Sequence, residues 1–287
     1  MSILKTSNLV VSYGAKTVLN GVDLCIDVPG IYALVGPNGS GKTTLLNAIS
    51  NLIPKDSGEI LVFDKLNTDI SIFRDMSYFP DHKVLYPYLT GYDHFNIIKS
   101  VYKIDDDDIK LTIEKFDIDS YMGKKVGEYS LGMKQHLLIA LSSVTNPKFI
   151  ILDEPMNGLD PSNIVKIRKI LIDIASSGTA ILISSHNLFE IDMMTTMVYF
   201  LKDGKLLYEL LKLEESVIFT MEKEITEPRI LEDQRFIVEG NRVEINTSII
   251  TKYEALKFLE ELQNNIVDFK IRNKSSEERY KEIFEIK

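Results

Sequence analysis

The sequence predicts an α/β protein built on a parallel sheet, followed by a small α+β appendage. Three observations predict this class. The apolar strand Ile31–Val35 runs into a glycine-rich turn and then a helical stretch, Lys42–Ile49, which is one strand–turn–helix unit of a parallel sheet. Two four-residue apolar runs, Phe149–Leu152 and Ala180–Ile183, have the pattern of strands covered on both faces. After about residue 212 the chain changes to short strands and an amphipathic helix.

Residues 1 to about 30 alternate in strand fashion, as in Asn8–Tyr13 and Val22–Ile26, and predict an antiparallel β subdomain. Cys25 sits in the apolar run Val22–Val28 and is expected to be a small buried hydrophobe. As the single cysteine it excludes an internal disulfide and fits a reducing compartment. Residues 85–145 predict a helical subdomain. Within it, Asp105–Asp108 reads as a solvated helix start, where carboxylates favour the positive end of the dipole. Thr196–Tyr208 reads as a hairpin turning at Asp203-Gly204. The expected division is a main domain over 1–211 and an accessory domain over 212–287. In the latter, strands are expected at Ser216–Met221, at Arg235–Asn246 with a turn at Gly240-Asn241, and at Ile266–Ile271. Lys252–Asn264 predicts an amphipathic helix, and Ser275 with Glu278 a capping box for a last one.

Composition bounds the function. A formal charge of −9 argues against general affinity for nucleic-acid backbones. The N-terminus lacks the basic head and apolar stretch of a signal peptide. No apolar run approaches the roughly 20 residues of a membrane span, so any membrane role is expected to come through a partner.

Gly36-Pro37-Asn38-Gly39-Ser40-Gly41-Lys42-Thr43 satisfies G-x-x-x-x-G-K-[ST] between a strand and a helix. Glycines let the backbone curl so that several N–H groups face one anion, and the following helix adds its positive end. Lys42 can reach the β- and γ-phosphates, and the Thr43 hydroxyl can ligate Mg²⁺. About 110 residues on, Phe149–Leu152 ends in Asp153-Glu154. Asp153 is placed to hold Mg²⁺, and Glu154 to accept a proton from attacking water.

From here the chain resembles the ABC ATPase family over roughly residues 1–210, on several motifs in the family's order. Gly36–Thr44 matches the Walker A loop, Ser130-Leu131-Gly132-Met133-Lys134-Gln135 the signature segment, and Asp153-Glu154-Pro155 the end of Walker B. Asn157-Gly158-Leu159-Asp160 resembles the D-loop, His186 the switch histidine, and Tyr13 the aromatic that stacks on adenine. The resemblance implies a P-loop NTPase core of the RecA-like type that binds and hydrolyses ATP with Mg²⁺. Asn38, Gly39, Ser40, Gly41, Lys42, Thr43, Thr44, Tyr13 and Asp160 would contact nucleotide. Glu154, His186 and Lys42 would carry the chemistry, and Thr43, Asp153 and Asp81 the metal. It also implies a head-to-tail dimer, homomeric or heteromeric, in which Ser130 and Gly132 of one subunit face the γ-phosphate held by the other.

Two segments depart from the family pattern. Asp81 stands where Gln is usual, bringing a charge and no donor, and its charge near Glu154 predicts slow basal hydrolysis. Tyr129, Leu131 and Met133 alter the signature while Ser130 and Gly132 survive. The resemblance further implies a transmembrane permease partner, peripheral placement on the cytoplasmic face of the membrane, and kinship with Gram-positive exporters of bacitracin, lantibiotics and peptide toxins. Tyr86 and Tyr88 are either a contact for that partner or part of the core. An importer subunit and a soluble ABC ATPase acting on nucleic acid or ribosomes are the alternatives.

Overall fold

A computed structural model describes residues 2–210, 215–224, 236–246, 266–273 and 276–285. They form two compact units, Met1–Glu209 and Leu210–Lys287. The helix expected at Lys252–Asn264 and the capping residue Ser275 lie outside the described residues.

The first unit carries two sheets. β1 (Leu4–Tyr13), β2 (Lys16–Ile26), β4 (Ser57–Val62) and β5 (Lys65–Leu66) form an antiparallel sheet in the order β2-β1-β4-β5. Leu4 and Thr6 face the core on one side of a register shift in β1, and Leu9 and Val11 on the other. An extra residue in the strand moves the inward phase from even to odd positions, as a bulge does. The buried Thr6 hydroxyl donates to the Val22 carbonyl at 3.0 Å, so it enters the core satisfied.

In β2 the inward positions are Val22, Leu24 and Ile26, so Cys25 points outward and is exposed. The expectation of a buried thiol is thereby corrected. Period-two alternation assigns one face to the three larger aliphatics, and the cysteine falls on the other. Its Sγ lies 3.3 and 3.4 Å from the two Asp27 oxygens. Desolvation and the Asp27 carboxylate push the thiol pKa up, away from a reactive thiolate.

The second sheet has the order β10-β9-β3-β8-β7-β6. Its strands are β3 (Gly30–Val35), β6 (Met76–Phe79), β7 (Phe149–Asp153), β8 (Ala180–Ser185), β9 (Met197–Lys202) and β10 (Lys205–Leu210). β3, β8, β7 and β6 run parallel, as does β9 beside β3. The three uninterrupted apolar runs occupy neighbouring central positions and are almost wholly buried, which is why they lack polar alternation. Each fully buried aliphatic there contributes about 1.5–3 kcal/mol of transfer free energy. β9 and β10 form the hairpin expected at Thr196–Tyr208, with Asp203 and Gly204 both at positive φ in its two-residue turn.

Between β6 and β7 the chain is mainly helical, with α2 (Gly91–Tyr102), α3 (Asp106–Lys115) and α4 (Leu131–Ser143) among short 3₁₀ turns. Thr90 and Asp93 build a reciprocal capping box on α2. Asp106, Asp107 and Asp108 fill the first turn of α3, as their charge favours. α1 (Lys42–Ile49), α5 (Pro161–Ser176) and α6 (Leu188–Asp192) complete the unit.

In the second unit β11 (Glu215–Met221), β12 (Phe236–Glu239), β13 (Arg242–Asn246) and β14 (Ile266–Asn273) make an antiparallel sheet in the order β12-β13-β11-β14. Ile218, Phe219, Met221, Phe236, Val243 and Ile245 are buried on it. A helix follows at Ser276–Phe284, so the appendage is α+β as expected.

Gly58 marks where β4 crosses β1 most closely. Its φ is +89°, and a Cβ there would lie 2.4 Å from the Asn8 carbonyl oxygen and 2.6 Å from Leu9 Cα. Since the obstacle is backbone, Gly58→Ala is expected to destabilise the first unit by about 3 kcal/mol in urea unfolding, the upper range for a single substitution. A loss below about 0.5 kcal/mol would show that the two strands can part at no cost.

Candidate functional site

Parallel strands place their C-terminal ends on one edge of the sheet, and there the predicted chemical residues meet. The loop after β3 carries Gly39 and Gly41 at φ +80° and +108°, a left-handed backbone that glycine adopts without strain. α1 starts at Lys42 with no side-chain cap and no acidic residue in its first turn. Its first N–H groups therefore have no side-chain partner and retain their positive end for an anion. The Ser40 hydroxyl is buried without a hydrogen-bond partner, and a Cβ on Gly39 would meet nothing within 4 Å. An orphan donor beside open space suits an acceptor-rich ligand such as a polyphosphate. Lys42 is buried, and its Nζ donates to the carbonyls of Gly36 at 2.7 Å and Pro37 at 3.3 Å. The ammonium is thus aimed along the loop by backbone acceptors.

β8 lies between the loop strand β3 and the carboxylate strand β7, with Ser184 opposite Asp153. The fully buried Ser184 hydroxyl donates to Asp153 Oδ1 and accepts from the Glu154 N–H at 2.9 Å. That N–H also donates to the Ser184 carbonyl at 3.2 Å. Glu154 itself stands at φ +48°, a region that costs a non-glycine residue of order 1–3 kcal/mol. This bend carries its carboxylate off the strand line. Oε1 lies 3.7 Å from Lys42 Nζ, and Oε2 lies 2.8 Å from His186 Nδ1. A carboxylate can only accept, so Nδ1 carries the proton in that contact.

Thr43 Oγ1 donates to Asp153 Oδ2 at 2.7 Å. A hydroxyl and a carboxylate side by side form a hard-oxygen pair of the kind Mg²⁺ takes, with phosphate and water filling its other positions. Tyr78 on β6 donates to Asn47 Oδ1 at 2.8 Å. Burial first and the Asp153 charge second push its pKa up, so it stays a neutral donor. Sequence reasoning overlooked Ser184 and Tyr78. The signal for Ser184 was present in the Ser184-Ser185 pair that ends an otherwise apolar strand level with Asp153.

Other predicted residues stand apart from this cluster. Tyr13 is 54% exposed at the end of β1. Ser130 caps α4, its Oγ accepting from the Met133 N–H at 3.2 Å. Asp160 caps α5, accepting from Ser162 N at 3.0 Å, Ser162 Oγ at 2.6 Å, Asn163 N at 3.1 Å and Asn163 Nδ2 at 2.5 Å. Those bonds hold its carboxyl down at about 2 from an ordinary 3.8. Asp81 was expected at the metal. Instead it caps the 3₁₀ turn His82–Val84, bonding the Lys83 N–H at 3.3 Å and pairing with His82 Nδ1 at 2.6 Å and Lys83 Nζ at 3.4 Å. A local cap and two basic neighbours thus engage the carboxylate. The altered Tyr129 is buried, edge-on to Tyr121 at 5.0 Å, and donates to the Tyr121 carbonyl at 2.8 Å. Gly91 leaves the room: a Cβ there would stand 2.8 Å from the Tyr129 hydroxyl.

A family model for the ABC transporter matches residues 19–157. The lantibiotic transport ATP-binding protein SrtF of Streptococcus pyogenes is 36% identical over 207 residues, covering 72% of this chain and 90% of SrtF. The chain belongs to the ABC transporter ATP-binding proteins. The bacitracin transport ATP-binding protein BcrA of Enterococcus faecalis is 32% identical over 214 residues, 72% of this chain and 68% of BcrA. An uncharacterized ABC transporter ATP-binding protein of Bacillus subtilis, YhcH, is 28% identical across 98% of this chain and 96% of its own length. A solved structure of the ATP-binding subunit of an ABC transporter superposes with a TM-score of 0.67 at 26% identity, covering 73% of this chain and 90% of that one. The P-loop NTPase fold and the ATPase activity follow from this membership. This ABC ATPase keeps the family's phosphate loop and paired carboxylates in contact with each other.

Asp153→Asn is expected to raise the Mg²⁺ concentration that half-saturates ATPase activity by about 10–100-fold, the usual worth of a metal-site partner. Asp81→Asn should leave it within about twofold, and equal effects would return Asp81 to the metal. The depressed Asp160 pKa makes the α5 cap stabilising at all pH values above its unfolded pKa, and the contribution is lost as pH falls through the folded one. An NMR titration of the carboxyl carbons should give Asp160 a midpoint of about 2, and a midpoint of 3.8 would mean that the cap is absent in solution.

Proposed function

We propose that this ABC transporter ATP-binding subunit hydrolyses Mg·ATP in a head-to-tail pair of ATPase subunits and drives a separate transmembrane permease. The cargo we infer is a peptide or another amphipathic, toxic compound moved outward. The observation that carries the hydrolytic reading is the Glu154 carboxylate, held between Lys42 and His186 beside the Thr43–Asp153 oxygen pair.

Each residue has a role in that reading. The backbone from Asn38 to Gly41, the α1 N-terminus and the hydroxyls of Ser40 and Thr44 hold the phosphates, and Lys42 presents its charge to the β- and γ-groups. Thr43 and Asp153 would hold Mg²⁺, which would supply positive charge to the phosphates. Glu154 accepts the proton of the attacking water. His186 donates through Nδ1 to Glu154, which orients the base and leaves Nε2 for the γ-phosphate side. Tyr13, exposed at its strand end, is available to stack on adenine. Ser130 and Gly132 act on the partner subunit's nucleotide.

Export is supported by the likeness to the lantibiotic and bacitracin transport proteins. Among the described residues no helix is long and apolar enough to cross a membrane; the peripheral place on the cytoplasmic face that we infer rests on the likeness to those transport proteins. Tyr86 and Tyr88 are 49% and 66% exposed; they suit contact with a permease more than a place in the core.

Glu154→Gln tests the whole reading. It is expected to bind ATP normally, to slow turnover by about 10²–10⁴-fold, and to retain a multi-span membrane protein in fixed ratio when purified from gently solubilised membranes. Turnover at the wild-type rate would remove Glu154 from the chemistry. Recovery with ribosomes or nucleic acid, or as a soluble species alone, would overturn the permease while leaving the ATPase standing.

A further inference from the structure

Asn163, on the first turn of α5, had no role in the sequence reading. Its side-chain amide touches two segments. Asn163 Nδ2 donates to Asp160 Oδ2 at 2.5 Å, at the end of the loop 157–160. The same amide lies beside Gly132 of the signature segment. A Cβ on Gly132 would stand 2.7 Å from Asn163 Nδ2, 2.9 Å from Cγ and 3.2 Å from Oδ1. All three atoms belong to the amide that bonds Asp160, so a methyl group at 132 would have to push it off that bond. A second contact joins the same segments: a Cβ on Gly158 would come 3.0 Å from Leu131 Cδ2.

We propose that Asn163 is a positioning residue that locks the signature turn at Ser130–Gly132 to the loop Asn157–Asp160 of the same subunit. The inference rests on the head-to-tail dimer proposed above. In that dimer the signature segment acts on nucleotide held by the other subunit, so its placement on its own subunit must be set before the subunits meet. Asp160 supplies the anchor. Its carboxylate is an anion at physiological pH and already binds three donors of the first α5 turn besides the Asn163 amide. Asn163 carries that rigidity across to α4. Gly132 is required to be glycine because the amide takes the volume that a methyl group would fill. This reason is internal to one chain and independent of the nucleotide.

The two reasons for a glycine at 132 can be separated by suppression. ATPase rate, nucleotide affinity and thermal unfolding are measured on full-length Gly132→Ala, Asn163→Ala and the double variant. ATP-dependent dimerisation is followed with each in the Glu154→Gln background. Gly132→Ala is expected to lower kcat and dimerisation strongly while leaving nucleotide affinity of the single subunit unchanged. Adding Asn163→Ala should restore at least about tenfold of the loss, a coupling of the size seen between contacting residues in double-mutant cycles. Asn163→Asp should behave like Asn163→Ala, because Asp160 then faces a carboxylate in place of a donor. A double variant no better than Gly132→Ala would overturn the proposal and assign the glycine to the nucleotide side. Wild-type kcat in Asn163→Asp would overturn it as well. If Glu154→Gln alone forms no dimer with ATP, the dimer reading itself falls, and this inference falls with it. Dimerisation by Glu154→Gln without suppression in the double variant would sink this inference alone.

Discussion

The Ser184 hydroxyl holds the reactive edge of this protein together. It lies at the end of a strand flanked on one side by the phosphate-loop strand and on the other by the strand of Asp153 and Glu154. From there it orients Asp153 and receives the Glu154 backbone N–H. Asp153 in turn accepts from Thr43 across the sheet edge. One buried serine therefore helps set the spacing of the Thr43–Asp153 oxygen pair and the Glu154 backbone. It also supports the left-handed backbone of Glu154, since a strained residue persists only where surrounding bonds over-determine it.

Parallel pairing makes this arrangement possible. Three strands with no polar alternation can be stable only at the centre of a covered sheet, and at the centre their C-terminal ends are forced side by side. Apolar composition thus leads, through burial, to convergence of residues from positions 36–43, 153–154 and 184–186. The antiparallel β1–β2–β4–β5 sheet shares a core with this one through Leu4, Leu24, Ile26, Leu34 and Tyr199. The Tyr199 hydroxyl seals that join by donating to the Cys25 carbonyl.

The α4–α5 region follows a different rule. Its helices start in caps made by Ser130 and Asp160, and the bonds of both caps stay on their own helices. Among the described residues neither side chain bonds to Lys42, Thr43, Asp153, Glu154 or His186. Ordinary capping chemistry and a family motif coincide at the same positions.

The sequence alone determined the central strands, the glycine loop with its helix, the carboxylate pair, the hairpin at Asp203-Gly204 and the strands of the appendage, because each depends on local pattern or on fixed spacing. Tertiary structure decided what depends on direction. Cys25 lies in an apolar run, yet the phase of its strand turns it outward. Asp81 was read for a metal role, and the pairs it makes with His82 and Lys83 and its cap of a 3₁₀ turn appear only in the structure. Tyr86 and Tyr88 could have been core and are exposed. Tyr129 fits a position meant for a smaller side chain because Gly91, 38 positions earlier in the chain, leaves space for its ring. Asn163 could not have been singled out at all, since its meaning lies in a contact with Gly132 across two helices. Local pattern specifies which elements form; the facing of each side chain follows only when the elements pack and one partner excludes another from the same volume.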